Sequence, residues 1–244
     1  RALFKLHLIE NNHPVHIIHQ YSVERKQLYP FINKIASFNK SKLKTVEYIS
    51  KSRTPYLPYG SIILDEIINL INPRNVLCSI SGIREGALAI EYFKDFSQDQ
   101  IFNNSLNYLA FKRGDLANNY KRYYDFLKPI FDDNDHFNNE LLNLACVLSH
   151  MDWGLGAFQK AELVFNETIN TPLLRLNHSD RIKLALSCYW RYCSIKYNPQ
   201  IEFLKFLNNN EIYACKQIGA ALRFAHTLTS ISTIFLEEFK LYKR

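Results

Sequence analysis

Apolar residues recur with two different habits along the chain, and the change between them falls near residue 95. In the first stretch, Leu3, Phe4, Leu6 and Leu8 form a helical stripe within Arg1–Asn12, which Pro14 ends. Val15–Val23 reads as a strand, Leu28–Phe38 as a helix and Thr45–Ile49 as one short helical turn. Pro55 and Pro58 punctuate a loop. Gly60–Ile71 carries a strong helical pattern with Ile63, Ile67, Leu70 and Ile71 on one face, and Asn72-Pro73 stops it. Val76–Ser81 is a continuous apolar run of the kind found in buried parallel strands. A helix to about Phe93 follows, so residues 1–95 are expected to form an α/β segment.

From about residue 96 onward helical spacing dominates, and no strand is predicted. Leu141, Leu144, Ala145 and Leu148 share one face, as do Ile182, Ala185, Leu186 and Tyr189, and then Cys215, Ile218, Leu222 and Ala225. Asn177-His178-Ser179-Asp180 has the residue types of a helix start, and the Asp132–Asp135 run separates helices. The expectation for 96–244 is an all-α domain without internal repeats.

Composition narrows the function classes. The chain has 244 residues, 47% of them hydrophobic and 22% charged, which suits one large domain or two ordinary ones. Its net charge of +7 favours polyanionic partners. The basic residues are scattered, with no block of five, so nucleic acid is not the expected polyanion. The aromatic cluster Tyr120, Tyr123, Tyr124 and Phe126 reads as core rather than as a base-stacking platform. Five cysteines without a CxxC pair point to reduced thiols and a cytoplasmic setting. No apolar run approaches the ~18 residues of a membrane helix, and no signal peptide is visible. The opening Arg1-Ala2-Leu3-Phe4 already reads as helix, so the first residue is expected to be a cut rather than a natural start.

The stretch Ser81-Gly82-Ile83-Arg84-Glu85-Gly86 carries candidate chemistry. A strand ending in Ser-Gly before a helix presents unpaired backbone N–H groups at a positive helix end, which can hold an anion. Gly82 is expected to permit the tight turn and Gly86 close helix–strand packing. Arg84 can grip a phosphate bidentately, and Glu85 can orient Arg84 or help open the helix. It is not a P-loop, because the Gly-Lys-Ser/Thr ending is absent.

The stretch resembles the Ser-Gly-(Ile/Val/Leu)-Arg-Glu-Gly signature of the exopolyphosphatase/guanosine pentaphosphate phosphatase (Ppx/GppA) family. RALFKLHLIENNHPVHIIHQYSV (1–23) is similar to the family's Trp-Arg-Ala-Leu stretch and its His-x-x-His-x-Tyr. SRTPYLPYGSIILDEII (52–68) resembles its arginine-bearing, Leu-Pro-Tyr lead into a helix. RGDLANNYKRYYDFLKPIF, LACVLSHMDW and IGAALRFAHTLT resemble parts of its helical domain.

The resemblance implies an actin-like (ribonuclease H-like) subdomain, of which 1–95 is the C-terminal part, followed by an HD-like helical domain, 96–244. It implies removal of terminal phosphates from inorganic polyphosphate or guanosine pentaphosphate, with Mg²⁺ in the complete enzyme. It places Ser81, Gly82, Arg84 and Glu85 at the phosphate cleft, with Arg53 facing the same polyanion; Arg53 reads equally as a solvated loop residue. The family's phosphate loops and catalytic glutamate lie upstream of its Trp-Arg-Ala-Leu stretch, and this sequence has neither. The isolated chain is therefore expected to lack hydrolase activity, to need that N-terminal half as its partner or to be a binding remnant, and to expose apolar faces that favour association, a homodimer included. In the helical domain, the family has Asp where this chain has His150 and His where it has Gly156, so a working metal site around His150-x-Asp152 is not expected, although Trp153 is kept. His13, His16 and His19 also read as ordinary strand residues, since alternation sends His16 and His19 to opposite faces. His178 reads as a cap-loop residue, and Cys188 and Cys193, five apart on one helix, as poor chelators.

Overall fold

A computed structural model describes residues 1–114, 119–132, 134–150, 154–173, 175–197, 201–229 and 232–242. The protein is mostly helical, with one small two-stranded sheet. It divides into two compact units, Arg1–Ala87 and Leu88–Arg244.

The first unit contains α1 (Ala2–Glu10), β1 (Tyr21–Glu24), α2 (Arg25–Ala36), α3 (Lys40–Lys44), a 3₁₀ turn (Thr54–Tyr56), α4 (Leu57–Ile71), β2 (Asn75–Cys78) and the start of α5 (Ile83–Phe93). Its core gathers Leu3, Phe4 and Leu8 from α1, Tyr21 and Val23 from β1, Leu28, Phe31, Ile32 and Ile35 from α2, and Leu57 and Ile68 from α4. Pro58 sits in the first turn of α4, where its missing N–H costs nothing. Asn72 ends that helix in the left-handed conformation, φ 49°.

Three expectations for this unit are corrected. Of the expected Val15–Val23 strand only Tyr21–Val23 pairs, in a strand that runs on to Glu24; ahead of it, the Val15 N–H turns to the His13 ring, 3.1 Å away, instead of to a neighbouring strand. The strand after Pro73 is not parallel, and only its last residue, Cys78, is buried. β2 runs antiparallel to β1, Tyr21 opposite Cys78 and Glu24 opposite Asn75, and Leu77 is half exposed. The short helix expected at Thr45–Ile49 lies earlier, because the Asn39 side chain accepts the Lys42 N–H at 3.0 Å and starts α3 at Lys40.

In the second unit no strand occurs among the described residues, as expected. After α6 (Gln98–Lys112) come α7 (Tyr120–Phe131), α8 (Asn139–Leu148), α9 (Ala157–Asn170), α10 (His178–Tyr192), α11 (Ile201–Leu204), α12 (Asn209–Leu228) and α13 (Phe235–Glu238). The centre is α10, packed between α9 and α12, and every residue from Arg181 to Trp190 is buried. Asn177 caps it by accepting the Asp180 N–H at 2.8 Å. Among the polar residues it buries, Lys183 reaches Asp180 at 2.5 Å and donates to the His136 carbonyl at 3.2 Å. Ser187 donates to the Lys183 carbonyl at 2.9 Å. The Trp190 indole donates to the Tyr197 carbonyl at 2.8 Å. All three sequence-predicted helix faces, in α8, α10 and α12, are buried. No described helix is long and apolar enough to cross a membrane.

At Gly219, α12 comes against α10 so closely that a Cβ would lie 2.7 Å from Trp190 Cβ and 2.8 Å from the Ser187 carbonyl oxygen. Neither neighbour is a free side-chain end, so Gly219→Ala is expected to destabilise this unit by about 1–3 kcal/mol. Chemical denaturation of the variant checks this; an unchanged midpoint contradicts the packing described.

Candidate phosphate-binding surface

The site is built on the first unit from three short pieces: the start of α1, the loop before α4 and the turn before α5. The loop is held by one carbonyl. Ser50 O accepts the Arg53 N–H at 2.8 Å, the Thr54 N–H at 3.1 Å and the Thr54 hydroxyl at 3.1 Å. That folds the chain tightly enough to place Arg53 at the head of the 3₁₀ turn. Arg53 then lines a cavity of about 440 Å³ with Arg1, Lys5, Tyr48, Ser50 and Ser52. No carboxylate lines this cavity among the described residues. A second cavity, about 420 Å³, is apolar apart from the same two arginines and lies over Leu57, Ile63 and Ile67. Arg1 and Lys5 stand one turn apart at the positive end of α1, so its dipole adds to their charge.

The turn before α5 opens as follows. The Gly86 N–H donates to the Gly82 carbonyl at 3.0 Å, the first bond of the helix. The Glu85 carboxylate folds back to accept the Gly82 N–H at 2.6 Å. This is the helix-opening role considered for Glu85. No ion pair joins Arg84 to Glu85 among the described residues, and Arg84 is exposed. Gly82 needs no special backbone conformation; its value is space, since a Cβ there would lie 3.1 Å from Arg1 Nη2 and 3.3 Å from Glu85 Oε2. Gly86 has nothing within 4 Å of the place a Cβ would occupy, so the close helix–strand packing expected of it is absent. The hydrogen bond from Gly82, aided by the Arg1 charge, holds the Glu85 carboxyl below the usual carboxylate range.

Of the sequence-predicted residues, the structure brings Gly82 and Glu85 against Arg1, and Arg53 into the cavities that Arg1 lines. Ser81 is exposed beside them, its N–H bound to the Ser79 hydroxyl at 3.0 Å. Arg84 is not placed on that cavity. Sequence reading missed Arg1 and Lys5 as site residues, although their spacing of four on a helix start was a usable signal.

The other described candidates make packing and ring contacts. His7 shares a 2.9 Å hydrogen bond with the Tyr21 hydroxyl, and His13 packs edge-on to the same ring. His19 is buried while His16 is exposed. In the second unit His150 is buried edge-to-face on His226, ring centroids 4.3 Å apart, with Tyr123 stacked on His226 at 4.2 Å. Burial, reinforced by the Arg191 and Arg113 charges, pushes the His150 pKa well down, and burial with Arg191 lowers that of half-buried His226. Such cationic neighbours oppose a metal ion. Asp152 and Trp153 lie outside the described residues, and no metal-binding group of three side chains occurs among the described ones. All five cysteines are free and buried, with burial pushing the Cys188 and Cys215 thiols up to about 12.

No protein-family model matches the chain, and no curated protein matches it.

The Glu85 contact carries a pH signature. Its folded-state pKa is depressed, so its contribution is present above the ordinary carboxylate range and lost as pH falls through the lowered value. The protection factor of the Gly82 amide, its exchange rate corrected for the intrinsic pH dependence, is expected to fall on acidification through that range, and Glu85→Gln is expected to flatten the response. An amide equally protected in Glu85→Ala contradicts the contact.

Proposed function

We propose that this surface binds the phosphates of a linear polyphosphate or of guanosine pentaphosphate, and that the chain is the C-terminal portion of a Ppx/GppA-type phosphatase. In this reading residues 1–95 are the end of an actin-like subdomain, and 96–244 are an HD-like helical domain. The observation that carries it is the meeting, through Arg1, of the Ser81-Gly82-Glu85 turn with the Arg53 loop. These are the two stretches the resemblance assigns to one phosphate cleft. Three cations, three hydroxyls and no carboxylate among the described residues suit a polyanion, because each guanidinium can take two phosphate oxygens.

The same lining does not suit the Mg²⁺ of the complete family enzyme. That ion wants carboxylate and water oxygens, and Glu85, the carboxylate nearest to Arg1 in this turn, is already bound to Gly82. The residues present hold and orient phosphate; they supply neither a metal cage nor a general base. Binding without turnover is therefore the behaviour proposed for the chain by itself, and hydrolysis the behaviour proposed for it joined to the family's N-terminal half.

Binding of fluorescent polyphosphate and of guanosine pentaphosphate, read by anisotropy across a salt series, tests this. Arg53→Ala and Arg1→Ala are each expected to weaken binding about tenfold and to flatten the salt slope. Lys112→Ala, on the second unit, is expected to do neither. Equal loss from all three variants, or phosphate release by the chain alone, contradicts the proposal.

A further inference from the structure

Two cavities on the first unit meet at the same two arginines. One, about 440 Å³, is lined by Arg1, Lys5, Arg53 and the hydroxyl residues Tyr48, Ser50 and Ser52. The other, about 420 Å³, shares Arg1, Ala2 and Arg53 with it. Beyond the arginines, the second is walled by Leu3, Phe4, Leu57, Ile63, Leu64 and Ile67. Ile63 and Ile67 are 61 and 46% exposed, so this wall is open to an incoming molecule. Gly60 widens it. A glycine inside a helix weakens the helix, and here nothing lies within 4 Å of the place its Cβ would occupy. Each volume falls in the range of roughly 300–1,000 Å³ that small-molecule sites occupy. The binding of phosphates proposed above occupies only the first cavity.

We infer that the two cavities form one site for a diphosphate ester of an apolar alcohol, its phosphates on Arg1, Lys5 and Arg53 and its hydrocarbon chain along Phe4, Leu57, Ile63 and Ile67. This rests on the phosphate reading of the first cavity and names the rest of the ligand. The shared arginines select a molecule with both parts. Arg1 and Arg53 stand on both cavities, so a chain esterified to the phosphates they hold starts at the apolar wall. Burying that chain removes apolar surface of both ligand and protein from water. A bare polyphosphate leaves the apolar cavity unused. A nucleobase suits it poorly. With both guanidiniums on phosphate, the Tyr56 hydroxyl is the one polar side-chain group left among the described lining residues. The donors and acceptors on the edge of a base would then lose water without gaining partners.

Isothermal titration calorimetry tests this with inorganic diphosphate and with its isopentenyl, geranyl and farnesyl esters, each below its micelle concentration. Affinity is expected to rise at least about tenfold from the isopentenyl to the geranyl ester. The heat capacity change of binding is expected to grow more negative along the same series. Arg53→Ala is expected to weaken every member about tenfold. Ile63→Gln with Ile67→Gln is expected to remove the gain from the longer chain, with circular dichroism checking that the variant folds. Arg53-dependent binding of inorganic diphosphate without any gain from the chain overturns this inference and leaves the phosphate reading standing. So does a gain that survives the two glutamine substitutions, which assigns it to another apolar surface, or guanosine diphosphate binding more tightly than geranyl diphosphate. Absence of binding by all four ligands overturns both.

Discussion

The Arg1 guanidinium lies against the Gly82 backbone, at a distance where a Cβ would come within 3.1 Å of Nη2, and the candidate surface follows from that approach. It brings a cation from α1 beside the turn before α5, while Arg1 also shares both cavity walls with Arg53. Three stretches far apart in sequence thereby contribute to one cationic surface. Glu85 completes the arrangement from the other side. Its carboxylate accepts the Gly82 N–H and closes the helix start.

The second unit is organised by a different use of arginine. Arg113 donates to the Leu148 and His150 carbonyls at 2.9 and 3.0 Å, and the Tyr192 hydroxyl and Arg191 both donate to the Ser149 carbonyl. Arg223 donates to the Trp190 and Arg191 carbonyls, both at 2.7 Å. Each guanidinium thus closes a helix C-terminus whose carbonyls would otherwise be buried without donors. Burial, reinforced by the charge left at these places, pushes the His150 and His226 pKa values down. A structural role accounts for these arginines, whereas the cations of the first unit stand on an open cavity.

Helices were legible where burial is deepest. The stripes at Leu141–Leu148, Ile182–Tyr189 and Cys215–Ala225 each became a buried face, because spacing states which residues share a side. Spacing does not state what covers that side. The Ile63, Ile67 and Leu70 stripe was read as a helix, and it is one, yet it faces outward while Ser61 faces in. The apolar run Val76–Ser81 carries no mark of its partner either; β1 approaches it antiparallel, and the run pairs only to Cys78. Within the site, Gly82 and Glu85 were found by their motif. Arg1 and Lys5 were not, because a cationic pair at a helix start acquires meaning only when the fold brings the Arg53 loop beside it.

The most direct measurement of the central claim is an amide and guanidinium nuclear magnetic resonance titration with tripolyphosphate. The account predicts that the Gly82 amide and the Arg1 and Arg53 side-chain signals shift together and saturate at one ligand concentration. Shifts confined to the scattered lysines of Lys40–Lys44, or to the second unit, with the Gly82 amide unmoved, would contradict it.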